Sequence, residues 1–422
     1  MAESRLRIAI IGGGLAGATL ANVLIQIPHV AVHVYESTPE FSSRGAAIVL
    51  TNTSQKSFQR AIPSAPDILK KTGAVPKNST QLILGSGPEA GAVIADLGNS
   101  GTPGLVVSRF SLLRELLSLL PKEILYTSKK LTKIIAGGDY VDILFEDGTS
   151  SQFDAVIGAD GIFSSVRKHV VGTAADEAYS ASPAGFWDSR NLIPYEKAKS
   201  VLGEEYFKLD RQYGWIGDGA FIMHEFLEDR AVVQCVISVI EKDPPKDRRK
   251  RQLTKEYLTE ILSNWLDGPI AKGMIELTLD QPEPSGYSQW EHKLTLTYAK
   301  DHVCIVGDAA HSMTPWQGFG AGMAIEDAMV LGVLFRNISS PQGISAAFKA
   351  FDAMRRVRCE RIIHSSQGTG VIMCGRNEEV GLDVDKFRQS LFSRWDVIDA
   401  IDYDVHEQEA LEKLRETLTG GN

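Results

Sequence analysis

The stretch RIAIIGGGLAGATLANVLIQIPHVAVHVYE, residues 7–36, decides the fold. Residues 7–11 are a short apolar run that breaks on three glycines, the pattern of a parallel strand buried on both faces. Residues 15–27 carry Leu20, Val23, Leu24 and Ile27 at helical spacing, and Pro28 stops that helix. Residues 30–35 read as a second strand, so the segment is a β-α-β unit with a right-handed crossover. Gly12, Gly14 and Gly17 match G-x-G-x-x-G between strand and helix. Gly12 permits the tight turn, Gly14 lets a pyrophosphate approach the backbone, and Gly17 allows close helix–strand packing. Leu15 and Ala16 open the helix whose N-terminus faces the phosphates. Glu36 lies 19 residues after Gly17, where an acid binds a ribose hydroxyl pair; the alternative is a solvated surface acid. Its charge disfavours a 2′-phosphate, so the pattern suits the AMP half of FAD or NAD rather than NADP.

Two later segments repeat the strand–turn–helix arrangement. Gly307-Asp308-Ala309-Ala310-His311 follows the apolar run 303–306 and leads through Pro315, Gly318, Gly320 and Gly322 into a helix over 323–335. A carboxylate at the C-terminal end of a strand accepts hydrogen bonds from a polyol such as the ribityl chain of a flavin. The glycine-rich helix start offers free N–H groups to an electron-rich ring edge. The alternative for Asp308 is a simple cap of the turn. Gly158-Ala159-Asp160-Gly161 follows a strand over 153–157. Either this turn aims backbone at the ring region of the same cofactor, or Asp160 only caps the next helix.

Outward from these motifs, the 422 residues suit two or three domains, and 43% apolar with 23% charged residues is ordinary for a globular chain. A net charge of −9 without a long basic run argues against nucleic acid as a partner. No apolar run is long enough for a transmembrane helix, and the few residues before the first strand are too short for a signal peptide. Cys235, Cys304, Cys359 and Cys374 form no C-x-x-C pair, so a reduced, cytoplasmic protein without a disulfide framework is expected. No metal-ligand spacing occurs. Residues 44–58 read as a loop then a helix, 110–120 as a helix, and 125–132 and 140–145 as strands. Residues 62–104 are turn-rich with weak strands at 81–84 and 92–95. Residues 185–287, with many aromatics and the run 231–240, suggest a mixed β domain, and helices follow residue 306.

GGGLAGATLA (12–21), GADGIFSSVR (158–167) and GDAAHSMTPWQGFGAGMAIEDA (307–328) together resemble the three signatures of single-component FAD-dependent aromatic monooxygenases of the p-hydroxybenzoate hydroxylase fold. The nearest resemblance is to fungal salicylate-hydroxylase-like members. Residues 190–194 resemble the substrate-domain segment of that family, and 395–413 its C-terminal tail. The resemblance implies an α/β fold: a Rossmann-like FAD-binding domain with an interleaved mixed β-sheet substrate domain and C-terminal helices. We expect residues 1–80, 100–180 and 288–360 in the FAD-binding part, 81–99 and 181–287 in the substrate part, and 361–422 in the helical segment.

The resemblance further implies non-covalent FAD, NADH or NADPH as co-substrate, and dioxygen. The reaction would be hydroxylation of a phenolic or aromatic-acid substrate through a flavin 4a-hydroperoxide. By position, the cofactor would meet Gly12, Gly14, Leu15, Ala16, Gly17, Glu36, Arg109, Leu131, Asp160, Asp308, Pro315, Gly320, Ala321 and Gly322. Arg44, Gly45 and Ala46 match a loop beside the isoalloxazine, with G-A-A where the family often shows G-A-G. Phe186, Trp187, Tyr213, Trp215, Phe221 and Met223 suit an aromatic pocket or, equally, a core. Arg190 is either the cation that neutralises a phenolate or carboxylate, or a surface arginine. His224 either takes a phenol proton, with Tyr213 the neighbouring candidate, or is a satisfied histidine on a half-buried strand. His311 is expected to bond its own loop. Monomer and homodimer both fit, with no stable membrane insertion. Two other activities fit the same cofactor: an epoxidase or oxidative tailoring enzyme of a fungal secondary-metabolite pathway, and a non-catalytic FAD-binding or redox-sensing protein.

Overall fold

The computed structural model describes residues 5–41, 47–98, 102–138, 140–172, 179–227, 230–247, 249–292 and 295–419. Its first sheet has six strands in the order Ala299–Lys300, Val303–Ile305, Ala155–Gly158, Leu6–Ile11, Val30–Tyr35 and Leu125–Tyr126. All pairs are parallel except the edge pair formed by Ala299–Lys300. Three strands remote in sequence therefore lie side by side, and their registers align Ile11 with Gly158 and Gly158 with Ile305. The turns after them start level, and the ladder continues into them. Gly12 N donates to Tyr35 O (2.7 Å), Ala159 N to Ile11 O (2.7 Å) and Val306 N to Gly158 O (2.9 Å). The strands are almost wholly buried, as continuous apolar runs require.

The helix Leu15–Leu24 packs between the sheet and the helix Gly320–Arg336. A Cβ on Gly332 would lie 2.4 Å from Val23, so the two helices meet where no side chain fits. The helix ends at Leu24, three residues before the periodicity runs out, with Ile25 as its cap. The expected strand over 125–132 is two strands, Leu125–Tyr126 and Leu131–Gly137, because the chain turns at Ser128 with φ of 56°. The expected loop before the helix near residue 58 contains the strand Ala47–Leu50. Thr51 then caps the helix Asn52–Ala61 by accepting from Ser54 N at 3.1 Å.

The second large sheet is mixed and eight-stranded, in the order Lys250–Gln252, Ser285–Glu291, Ser182–Pro194, Val232–Ile240, Ala220–Leu227, Gln212–Gly217, Ser79–Leu84 and Val93–Gly98. One face packs Trp187 and Trp215 against helices Tyr195–Leu202, Lys255–Ile261 and Ala271–Leu279. The other face turns toward the first sheet. The helix Ile344–Met373 runs unbroken through residue 360 and bridges both halves. Its Gly370 lets Trp316 lie on its surface, where a Cβ would stand 2.3 Å from the indole nitrogen.

A buried ionic network locks these helices. Arg355, fully buried, donates from Nη1 to Glu326 Oε2 (2.7 Å) and from Nε to Asp327 Oδ1 (2.9 Å). Arg358 donates to both oxygens of Glu326 at 2.9 Å and to the carbonyls of Val397 and Ile398. Tyr403 OH adds a bond to Glu326 Oε1 at 2.8 Å. Removing one partner strands the opposite charge out of water. Arg355→Leu should therefore cost about 3–5 kcal/mol in urea unfolding followed by tryptophan fluorescence. An unchanged midpoint would show that the network adds nothing to stability.

Candidate cofactor and substrate site

The three level turns form one rim of a cavity of about 800 Å³ that extends to the second sheet. At the rim, Gly12 has φ of +108°, and a Cβ there would lie 2.3 Å from Ala159 O. A Cβ on Gly17 would lie 2.0 Å from Gly12 O. Both glycines are demanded by the protein's own backbone. Gly14 differs: its Cβ would face open cavity, with Arg109 Nη2 the nearest atom at 3.9 Å. The glycine there leaves room for something the chain does not itself supply.

Gly14, Leu15, Ala16, Arg109, Ala159, Asp308, Pro315, Gly320 and Ala321 line this end of the cavity. The helices starting at Leu15 and Gly320 both begin here, and neither has a side chain capping its first turn. Two uncapped N-termini and a guanidinium are a donor set for a pyrophosphate and a carbonyl-bearing ring, so the chemistry fits a dinucleotide. Glu36 accepts from Gly13 N (3.0 Å) and Thr38 N (2.9 Å). Burial alone would raise its pKa, but these bonds hold it below the ordinary value, so it stays an anionic acceptor. Asp308 is exposed at the rim and makes no side-chain hydrogen bond among the described residues.

Glu36 lies off the cavity lining, and so do several other expected cofactor residues. Asp160 turns away from the cavity: it accepts from Ser164 Oγ, from Ser165 N (2.7 Å) and from Val166 N (3.2 Å), capping the helix Ser165–Val171. Its neighbours Ala159 and Gly161 line the cavity instead. Leu131 is a buried strand residue paired with Phe145, off the cavity. Gly322 serves helix packing, since a Cβ there would lie 2.5 Å from Ser54 Oγ. Arg44, Gly45 and Ala46 lie outside the described residues. Arg167, which the sequence reading passed over, ties two motifs together. It is buried and donates from Nη1 to the carbonyls of Ala309 and Ala310, both at 3.1 Å.

His311 Nε2 donates to Asp327 Oδ2 at 2.6 Å, and Gly307 N donates to the same oxygen at 3.0 Å. Burial opposes a charged imidazole, but the Asp327 carboxylate lifts its pKa well above the ordinary value. Burial likewise opposes an ionised Asp327, yet His311 and Arg355 bring its pKa down to about 2.

At the far end, strand parity sorts the side chains of the second sheet. Phe221, Met223 and Glu225 alternate into the cavity, with Gln234, Val236 and Ser238 beside them and Arg190 beyond. His224 pairs with Tyr213 and Cys235 on the opposite face. Its ring is fully buried, stacked 4.9 Å from Phe207 and 5.2 Å from Tyr213, with Nε2 3.1 Å from Tyr206 O. Burial pushes its pKa down to about 4, so it is a neutral core residue. Neither His224 nor Tyr213 reaches the cavity, against expectation, because each is one residue out of phase with the lining face. Trp187 and Trp215 are core on that same far side, whereas Phe221 and Met223 line the cavity.

Of the three expected substrate residues, Arg190 alone lines the cavity, its side chain 31% exposed. Its Nε (3.2 Å) and Nη2 (2.8 Å) donate to Asp188 Oδ2. Asp188 Oδ1 accepts from Ser238 Oγ and Gln289 Nε2, both at 2.6 Å, so the guanidinium is aimed from below. Met313, Trp316, Met373, Phe392 and Trp395 close the opposite wall.

Known proteins resemble this chain in family and in fold. Residues 141–366 match the family profile described as FAD binding domain. The chain is 30% identical to a 6-methylsalicylate 1-monooxygenase of Aspergillus terreus, over 97% of this chain and 92% of that protein. It is 26% identical to a salicylate hydroxylase of Pseudomonas putida, over 99% and 97% respectively. Its fold superposes on a solved salicylate hydroxylase substrate complex with a TM-score of 0.84 at 22% identity, covering 97% of this chain and 98% of that one.

The glycines of the first turn separate two roles. Gly14→Val should purify without FAD and melt at the temperature of FAD-free wild type. Gly12→Ala should melt lower, because strain and a backbone clash act whether or not cofactor is present. FAD content by absorbance, with thermal melting of each variant, checks both. A Gly14→Val protein that retains FAD would remove the dinucleotide from this turn.

Proposed function

Because the chain belongs to the FAD binding domain family and is a flavoprotein monooxygenase of the salicylate-hydroxylase type, we propose that it hydroxylates a small phenolic or aromatic acid, taking electrons from NADH or NADPH and oxygen from O2. The observation that carries this reading is one continuous cavity, with two uncapped helix starts and Arg109 at one end and, at the other, apolar and aromatic side chains around the aimed guanidinium of Arg190.

In this reading the backbone at Gly14, Leu15 and Ala16, with Arg109, holds the pyrophosphate, Glu36 the ribose, and Asp308 the ribityl hydroxyls. The first N–H groups at Gly320 and Ala321 would serve the electron-rich edge of the flavin. No lining residue among those described is His or Cys, which supports non-covalent FAD. Bound FAD supplies the activation of dioxygen. The protein supplies position, dryness and charge. Trp316, Met313, Met373 and Phe392 exclude water from the substrate end. Arg190 pairs with the substrate's anionic group and favours phenolate over phenol, which places more electron density on the ring. We assign the cofactor part to residues 1–80, 100–180 and 288–360 and the substrate part to 81–99 and 181–287. We assign residues 361–422 to a helical segment, which the helix Ile344–Met373 would join to the rest. The names of the relatives support an aromatic acid as substrate.

A panel of phenolic acids screened for stimulated NADH and NADPH oxidation, with product masses, tests the function. No stimulation and no product with one added oxygen would refute it. Arg190→Gln should keep FAD and slow hydroxylation about thirtyfold, the loss of a charge-assisted contact of about 2 kcal/mol. More of the reducing equivalents should then end as hydrogen peroxide. Equal rate and equal product per NAD(P)H consumed would place Arg190 outside the reaction.

A further inference from the structure

A carboxylate lies at the substrate end of the cavity, beside the histidine that strand parity turns away. Glu225 lines the cavity while being only 3% exposed. Its surroundings impose a polarity on it. Ala47 N donates to Gln234 Oε1 at 3.1 Å, which leaves Gln234 Nε2 to donate to Glu225 Oε1 at 2.8 Å. A backbone N–H cannot reverse its role, so this chain makes Oε1 an acceptor. On the other side, Gln212 Nε2 donates to Glu225 Oε2 at 3.0 Å, and Gln212 Oε1 accepts from Thr80 Oγ1 at 3.4 Å. Both oxygens are thus held as acceptors by neutral amides, and each retains a further acceptor site. Burial raises the proton affinity of Glu225 above that of an ordinary carboxylate, and Lys77 and Arg190 oppose this only in part. A carboxylate in this position can receive one more hydrogen bond from the cavity, and can take a proton without disturbing either amide.

We propose that Glu225 accepts the hydrogen bond, and then the proton, of a hydroxyl on the substrate ring. The cavity would therefore select rings with a hydroxyl donor at the Glu225 end and an anionic group at the Arg190 end. In the step, the substrate O–H bond breaks, a carboxyl O–H bond forms on Glu225, and the electron pair stays on the ring oxygen. The inference rests on the aromatic-substrate reading above and deepens it by assigning the group that receives the proton.

The test is ligand binding to the FAD-loaded protein without NAD(P)H, followed by flavin absorbance and fluorescence. Two matched pairs serve as probes: salicylate with 2-methoxybenzoate, and 3-methylphenol with 3-methylanisole. The wild type should bind each hydroxyl compound at least about tenfold tighter than its ether, because the hydrogen bond to Glu225 is lost in the ether. In Glu225→Gln that preference should fall to near parity, with FAD content unchanged. If Glu225→Gln fails to retain FAD, Glu225→Asp takes its place. Its shorter, withdrawn carboxylate should reduce the preference severalfold, and an undiminished preference there overturns the proposal. If Glu225→Gln keeps the wild-type preference, Glu225 is not the acceptor, whatever the substrate. If the carboxylated pair fails to bind while the neutral phenol shows a preference that the variant loses, the assignment of Glu225 stands and the aromatic acid falls. If the wild type prefers no phenol over its ether, both readings fall.

Discussion

The carboxylate of Asp327 stands where three separately encoded pieces of the molecule meet. One oxygen accepts from Gly307 N and His311 Nε2, which sets the loop that carries Asp308. The other accepts from Arg355 on the helix Ile344–Met373. Through Glu326, the preceding residue, the same network reaches Arg358, the carbonyls of Val397 and Ile398, and Tyr403. Charges this deeply buried are tolerated only when each is met, and here each carboxylate oxygen has a donor. His311, Asp327 and Cys359 converge as closely as metal ligands would, but Arg355 also reaches Cys359 Sγ at 3.5 Å. Its guanidinium and the His311 imidazolium supply the positive charge of the cluster. The rim of the cavity is therefore anchored from behind, at residues that never touch its contents.

The cavity itself follows from two sheets with different rules. The parallel sheet is buried on both faces and presents only its C-terminal edge, where backbone N–H groups and helix starts converge. That edge offers donors at fixed positions with few side chains, which suits phosphates and an electron-rich ring. The mixed sheet instead presents a face, on which every second residue points inward. That face can be apolar at Leu82, Met223 and Val236 and polar at Gln212, Glu225 and Gln234 without altering the fold beneath it. Under the proposed function, binding of the cofactor and choice of substrate would fall to structures that tolerate change differently.

The glycine-rich turn, its strand and helix, and the acid at Glu36 were legible because each is a local requirement: a turn only glycine can make, a helix start, a strand end. Glu36 is held anionic by Thr38, two residues on, and by Gly13 within the same β-α-β unit. Asp160 and His224 show the limit of such reading. In each the residue type suited the chemistry, but orientation decided the outcome. The Asp160 carboxylate satisfies the start of the next helix, and His224 sits one residue out of phase, sealed among aromatic rings. Glu225 was overlooked for the same reason, since nothing in FIMHEF says which of two adjacent polar residues faces inward.

By itself, then, the sequence determined the β-α-β unit, the presence of three strand-end turns, the acidic partner of the first and the mixed character of the second domain. These depend on periodicity and on conformations open to few residue types. Only the tertiary structure decided that turns near residues 12, 159 and 307 share one edge, because parallel pairing is set by long-range register rather than by local spacing. It also decided which face of each strand the cavity sees, because a single residue of register exchanges the two faces. That exchange separates Glu225 in the cavity from His224 in the core.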